Sequence, residues 1–177
     1  MRGTACAPYV GGQSALNSGQ PGASVSALFQ IFGGIVEMPI PIDKEGASTF
    51  VLACIDPRFT EYLAKFLINE KDIAHDYDLF ALAGASLGAN QTKHKCWGKA
   101  LMEHIDVAID LHGIKQLLVF DHLDCGAYKI FLELDEDDDV KPHKKEIKKL
   151  EKKIKKKYPD LEFRGFIMGK TGKIYRV

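Results

Sequence analysis

The sequence has no excess charge, no long apolar run and few cysteines. Its 177 residues hold 24 Lys and Arg against 24 Asp and Glu, a formal net charge of zero. A balanced chain is not attracted as a whole to nucleic acid or to an anionic membrane. The longest apolar stretch, Ala27 to Ile42, is interrupted by glycine, glutamate and proline, so it falls short of the roughly 18 to 20 residues of a membrane span. We therefore expect a globular protein with no nucleic-acid partner and no membrane span.

The four cysteines are irregularly spaced and do not form the pattern of a disulfide framework; they are Cys6, Cys54, Cys96 and Cys125. The first residues, MRGTACAPYV, lack the continuous apolar core of a secretory signal. Both observations predict a cytoplasmic, reducing location, in which cysteines are buried, reactive or metal-bound.

The length and composition predict one domain. A chain of 177 residues, 46% of them hydrophobic, can bury one ordinary core. We assign that core to residues 46–177. Residues 1–45 are predicted to be an N-terminal arm, because residues 1–25 are rich in small and polar residues without periodicity. The short apolar segment that follows in the arm could dock on a partner subunit.

Apolar runs alternate with helical patterns through the middle of the chain. The runs are Thr49 to Ile55, Leu79 to Ala83 and Gln116 to Phe120, and the helical patterns are Phe59 to Asn69 and Cys96 to His112. Strands that are apolar throughout are typical of a sheet covered on both faces. The alternation therefore predicts an α/β fold with a mostly parallel central sheet and helices on both faces.

The residue pattern of the C-terminal third predicts two more helices and a hairpin. Ala127 to Leu134 can form a helix, and an acidic turn leads to a basic helix from Pro142 to Tyr158. Apolar residues recur at helical spacing in this basic helix, so its lysines are interpreted as a solvated face in preference to a nucleic-acid patch. Leu161 to Val177 reads as two strands joined by a turn at residues 170–173, a hairpin at one edge of the sheet.

Metal-ligating side chains follow two of the predicted strands. Cys54, Asp56 and Arg58 come at the end of the first strand, and His122 and Cys125 at the end of the third. The carboxyl ends of parallel strands meet at one edge of a sheet, where ligands bind. Two cysteines and one histidine are the right number and type for a zinc site with one open position.

These residues form two motifs, Cys54-Ile-Asp-Pro-Arg58 and His122-Leu-Asp-Cys-Gly126, which resemble the paired signature of the β-class carbonic anhydrases. The resemblance implies a β-carbonic-anhydrase-like fold in which Cys54, His122 and Cys125 hold Zn²⁺. It further implies that Asp56 and Arg58 are catalytic, with Arg58 keeping the Asp56 carboxylate off the metal. Water activated by zinc would then convert CO₂ to bicarbonate and a proton, in a homodimer or a higher homo-oligomer.

The sequence departs from the family pattern at three points. Pro57 stands where the family usually has serine, Ala85 stands where many members have asparagine, and no upstream glutamine is evident. Three alternatives therefore stay open. The same site could hydrolyse carbonyl sulfide or carbon disulfide. The protein could instead be a catalytically silent zinc-bound structural or bicarbonate-sensing protein, or a metal-free redox protein using Cys54 and Cys125.

Several residues around the motifs have candidate supporting roles. Asp121 and Asp124 could orient the second ring nitrogen of His122, with helix capping an equal possibility for Asp124. Gly126 is expected to permit close backbone approach behind the metal. The candidate proton shuttles are histidines outside the motifs, namely His75, His94, His104 and His112.

Overall fold

The computed structural model of the protein describes residues 46–134 and 139–177. The predicted arm, 1–45, and the middle of the acidic turn lie outside these residues. The described strands are β1 (Thr49–Ala53), β2 (Tyr77–Ala81), β3 (Gln116–His122), β4 (Glu162–Met168) and β5 (Ile174–Arg176). The described α-helices are α1 (Pro57–Lys65), α2 (Ala85–Ala89), α3 (Lys95–His112), α4 (Gly126–Leu132) and α5 (Val140–Lys157). A π-helical turn, Phe66–Glu70, continues α1.

The five strands form one sheet in the order β2-β1-β3-β4-β5. The first three pairings in this order are parallel, and β5 joins β4 in antiparallel orientation. The predicted α/β fold, the mostly parallel sheet and the C-terminal edge hairpin are therefore confirmed. Because β1 and β3 are neighbours at the centre, the residues that follow them are brought together at the carboxyl edge of the sheet.

Helices cover both faces of the sheet, as the continuously apolar strands predicted. In β1, Phe50 and Leu52 face a core that includes residues of α2, α3 and α5. Val51 and Ala53 point to the opposite face, against Leu63 of α1 and neighbouring side chains. Successive side chains of a strand point to opposite faces, so a strand buried on both sides shows no polar alternation.

Element boundaries differ from the predicted ones where capping determines them. β1 ends at Ala53, two residues before the predicted end, and Asp56 caps the first turn of α1. α5 begins at Val140, because the Asp139 side chain accepts the backbone N–H of Lys141. Pro142 therefore lies within the first turn of α5 and not at its start. A proline is tolerated there because the N–H it lacks has no partner within the helix.

The connection after β2 contains α2, which the sequence did not predict. Gly84 precedes α2 with a φ of 70°, in the left-handed region that favours glycine. A five-residue helix is too short to show helical periodicity, which explains why the sequence does not reveal it. Among the described residues, no helix combines the length and the apolar character needed to cross a membrane.

Candidate metal centre

Three predicted ligands meet at the carboxyl edge of the sheet. Cys54 follows β1, His122 is the last residue of β3, and Cys125 immediately precedes α4. Their ligand atoms all lie within 4.8 Å of one another, and the sulfurs of Cys54 and Cys125 are 3.9 Å apart. His122 and Cys125 are buried and Cys54 is half-buried. The structure therefore brings together all three side chains that were predicted to bind the metal.

The orientation of the His122 ring fits a metal ligand. Its Nδ1 lies 2.9 Å from the carbonyl oxygen of Leu123, which can only accept a hydrogen bond. Nδ1 is therefore the donor, and in the neutral ring Nε2 keeps its lone pair. Nε2 is buried and has no hydrogen-bond partner within the described ranges. A buried acceptor without a partner is costly, and a bound metal ion would satisfy it.

The two thiols and the imidazole influence one another's protonation. The pKa of Cys54 is lowered to about 4, first by a hydrogen bond from Cys125 and then, against burial, by His122 and the Gly84 amide. The pKa of Cys125 is raised by its hydrogen bond to Cys54 and by burial. Burial lowers the pKa of His122, but Cys54, the Leu123 carbonyl and Asp56 together outweigh it and the net shift is upward. Cys54 is thus a thiolate at neutral pH, the form that binds metal ions.

Asp56 borders this cluster and is held by Arg58. Nε of Arg58 donates to Oδ1 of Asp56 at 3.0 Å, and Nη2 donates to Oδ2 at 2.7 Å. The same Oδ2 lies 3.8 Å from Nε2 of His122. The Arg58 side chain keeps the pKa of Asp56 below its ordinary value despite partial burial. Asp56 is therefore an ionised acceptor next to the cluster, and a two-pronged contact fixes its direction.

Arg58 is itself held from its other side by Asp124. Nη1 donates to Oδ2 of Asp124 at 2.9 Å, and Nη2 donates to the Asp124 carbonyl at 3.0 Å. Lys129 pairs with the other carboxylate oxygen of Asp124. The predicted role of Asp124 toward His122 is therefore wrong, because its carboxylate is engaged by these two cations. Arg58 makes these contacts from a partly exposed position, since 56% of its side chain is exposed.

The unusual Pro57 is compatible with this arrangement. Pro57 is the first residue of α1, and the Asp56 side chain accepts the N–H of Arg58 at 3.0 Å. The N–H that proline lacks would have no intrahelical partner at this position, and the fixed φ of proline suits a helix start. The replacement of the family's serine therefore leaves the contacts between Asp56 and Arg58 intact.

Asp121 hydrogen-bonds to the elements that surround the cluster and does not orient His122 as predicted. Its carboxylate accepts the backbone N–H of Ser86 at 3.0 Å, the Ser86 hydroxyl at 2.6 Å and the Tyr128 hydroxyl at 2.7 Å. These bonds join β3 to α2 and α4. Just before α2, the N–H of Gly84 points to the Cys54 sulfur at 3.4 Å. Sequence reasoning missed Ser86 and Tyr128, because neither a single serine after β2 nor a lone tyrosine shows a pattern that indicates a buried partner of Asp121.

An apolar cavity of about 220 Å³ opens beside the cluster. Phe59 is part of its wall and stacks on the His122 ring, with 4.1 Å between the ring centroids. None of the four candidate shuttle histidines is among the described residues that line it. The lining residues are Ala53, Cys54, Ile55, Phe59, Thr60, Leu63, Leu79, Ala81, Phe120, His122 and Met168.

Gly126 does not have the predicted role. A Cβ atom built on Gly126 would meet no described atom within 4 Å, outside its immediate chain neighbours and its own helix. The described part of the chain therefore makes no close approach that would require glycine at this position.

Comparison with known proteins gives a family for the chain. The family model described as "Putative carbonic anhydrase" matches residues 44–177. An "Uncharacterized protein" of Rickettsia bellii is 34% identical over 135 residues, which cover 74% of this chain and 82% of the relative. A second relative, "Uncharacterized protein RC0076" of Rickettsia conorii, is 32% identical over 135 residues, with 74% and 72% covered.

Solved structures of carbonic anhydrases share the fold. The carbonic anhydrase from Glaciozyma antarctica superposes with a TM-score of 0.53 at 18% identity, covering 78% of this chain and 85% of that one. The β-carbonic anhydrase isoform I of Trichomonas vaginalis gives a TM-score of 0.52 at 14% identity, with 79% and 87% covered. With its matching family model, its sheet topology and its Cys-His-Cys cluster, the chain belongs to this carbonic anhydrase family and has a β-carbonic-anhydrase-like fold.

Proposed function

We propose that this protein is a zinc-dependent carbonic anhydrase, a lyase that reversibly hydrates CO₂ to bicarbonate and a proton. One observation carries the proposal. The ligand atoms of Cys54, His122 and Cys125 converge within 4.8 Å, and at their border Arg58 holds the Asp56 carboxylate. A structural zinc site uses four protein ligands, whereas three ligands beside a held carboxylate suit a site that leaves one position for water or substrate.

The donor set favours zinc. Two thiolates and one imidazole are soft and borderline ligands, which suit Zn²⁺ better than Mg²⁺ or Ca²⁺. Cys54, Cys125 and Nε2 of His122 would hold the ion. Zinc, when bound, supplies the Lewis acidity that lets water lose a proton near pH 7 and act as a nucleophile.

Asp56 and Arg58 would prepare the site for the reaction. An ionised Asp56 can accept a hydrogen bond from a water molecule. This contact orients the water so that one lone pair of the water oxygen points toward the substrate. Because Oδ2 of Asp56 is only 3.8 Å from Nε2 of His122, a free carboxylate could also reach the ligand cluster itself. The contacts from Arg58 hold the Asp56 carboxylate where it accepts a hydrogen bond from water and keep it off the ligand cluster. Asp124 in turn holds Arg58 in place.

The apolar cavity fits a small, linear, uncharged substrate. Ala53, Ile55, Leu79 and Phe120 form part of its wall beside His122, and their side chains offer CO₂ no competing hydrogen bonds. Carbonyl sulfide and carbon disulfide share this shape and polarity. The same cavity would accept them, so the assay must include all three substrates.

The proposal is tested by stopped-flow hydration of CO₂ by the full chain, loaded with zinc. We expect a rate well above the uncatalysed one, and little or no turnover of carbonyl sulfide and carbon disulfide measured as sulfide release. The metal-free protein is the matched control and should give only the uncatalysed rate. Faster turnover of carbonyl sulfide or carbon disulfide than of CO₂ would show that hydrolysis of the sulfur substrate is the reaction, contrary to the proposal. If none of the three substrates is turned over, the protein is the catalytically silent zinc-bound protein and the proposal is wrong.

We also propose that the protein acts as a homodimer in the reducing cytoplasm. Cys54 and Cys125 must stay reduced to serve as ligands, which supports the location. Among the described strands β2 lies at one edge of the sheet, where Leu79 is 55% exposed, and Ile55 after β1 is 61% exposed. Exposed apolar residues at a sheet edge favour association. Light scattering during size exclusion should give about twice the chain mass, and a monomer at micromolar concentration would contradict the dimer.

A further inference from the structure

α5 concentrates positive charge in a chain that is neutral overall. Its 18 residues contain ten lysines and two glutamates, a formal charge of +8, whereas the whole chain has a formal charge of zero. The rest of the chain therefore has a net negative charge. The zero net charge of the whole chain argued against electrostatic partners, but it hides a strongly positive charge on α5. The lysines are exposed, as the predicted solvated face required.

Five of these lysines form a straight row on one side of the helix. Lys141, Lys145, Lys148, Lys152 and Lys156 are spaced by three or four residues, so they share a face about 22 Å long. We call this set the lysine row. The opposite side of α5 is fixed in the core by Ile147, Leu150 and Ile154. The row therefore points to solvent in a fixed orientation.

Among the described residues, few acidic side chains compensate the charge of the lysine row. Lys141 lies 3.7 Å from Asp139, and within residues 46–134 and 139–177 the other four have no carboxylate within 4.0 Å. Like charges spaced by four residues on a helix repel and destabilise it. The row thus carries a cost in the free protein that an anionic surface would relieve.

We propose that the lysine row binds this protein to the anionic surface of a lipid bilayer. A helix with four to eight lysines on one face attracts acidic headgroups, which move laterally and match any spacing of ammonium groups. Nucleic acid fits the row less well. α5 contains no arginine, asparagine or glutamine, and its one aromatic ring, that of His143, is buried, so only lysine and glutamate could contact a base edge and no side chain could stack on a base. The contact would be peripheral and reversible, since it rests on charge.

The test is co-sedimentation of the full chain with vesicles at 100 mM NaCl. One set of vesicles is phosphatidylcholine alone, and the other contains 30% phosphatidylglycerol. We expect binding only to the anionic vesicles, and its loss at 500 mM NaCl, where the screening length falls to a few ångströms. The variant K141Q/K145Q/K148Q/K152Q/K156Q should bind at least about 100-fold more weakly. Neutralising the row removes repulsion within α5, so this variant should fold, as circular dichroism would verify.

The matched control is K93Q/K95Q/K99Q/K115Q/K173Q, which removes five exposed charges outside α5. It should keep its affinity within about threefold, because distant charges are screened at 100 mM salt. Three results would overturn the proposal. They are absence of binding to anionic vesicles at 100 mM salt, an equal loss in the control variant, and tighter binding to a 30-base-pair DNA duplex, which would assign the row to nucleic acid.

Discussion

Cys54→Ser should lose its bound zinc and all catalysed hydration. Cys54 supplies one of the three converging ligand atoms, and the hydrogen bond from Cys125 lowers its pKa and favours the thiolate that binds metal ions. A serine hydroxyl remains protonated at neutral pH and is a poor ligand. The loss of zinc affinity should exceed the roughly 10- to 100-fold that is typical of outer-shell partners.

The measurement is zinc per chain after dialysis against a weak chelator, followed by the rate of CO₂ hydration. Cys96→Ser is the matched control, because Cys96 is a half-buried free cysteine outside the cluster. It should retain zinc and activity. If Cys54→Ser kept one tightly bound zinc, the ligand assignment would be wrong. If it lost zinc and still hydrated CO₂ at the wild-type rate, the reaction would not depend on this cluster.

Arg58→Gln should keep zinc but lose on the order of 100-fold in hydration rate. The substitution removes the guanidinium contacts to Asp56, leaving a carboxylate whose Oδ2 is 3.8 Å from Nε2 of His122. A carboxylate free to turn would compete for the open position beside the three ligands. Zinc content separates this effect from a damaged metal site, because none of the three ligands is changed.

Two further variants sharpen the Arg58 result. Arg58→Lys keeps the charge but cannot make the bidentate contact, so it should recover only part of the lost rate. Arg164→Gln removes another exposed arginine contact of 2.7 Å, to Glu162, and should leave the rate unchanged. Wild-type activity in Arg58→Gln would show that Asp56 needs no restraint, and full recovery in Arg58→Lys would show that charge alone suffices.

Much of the fold was predictable because the central strands are buried on both faces. β1 and β3 are almost entirely buried, so their apolar runs and the parallel sheet could be recognised. The ends of these predicted strands then placed Cys54 and His122 at the carboxyl edge of the sheet. The strand order was not predicted, since pairing depends on packing between distant segments and leaves no local pattern.

The immediate surroundings of the cluster were less predictable. Arg58 contacts Asp56 and Asp124, which lie in the turns before α1 and α4, and Asp121 contacts side chains of α2 and α4. Asp124 has a positive φ of 58°, and this local conformation accompanies its contacts with Arg58 and Lys129. No periodicity encodes such a turn, so the sequence indicated the charged residues but not their pairing.

A titration of zinc into the metal-free protein, followed by stopped-flow CO₂ hydration, tests the central claim most directly. In the part of the chain that the structure describes, Cys54, His122 and Cys125 form a single cluster of metal-ligating side chains. The hydration rate should therefore rise linearly with added zinc, well above the uncatalysed rate, and level off at about one equivalent per chain. A rate that stays at the uncatalysed value when one zinc is bound per chain would contradict the proposed function.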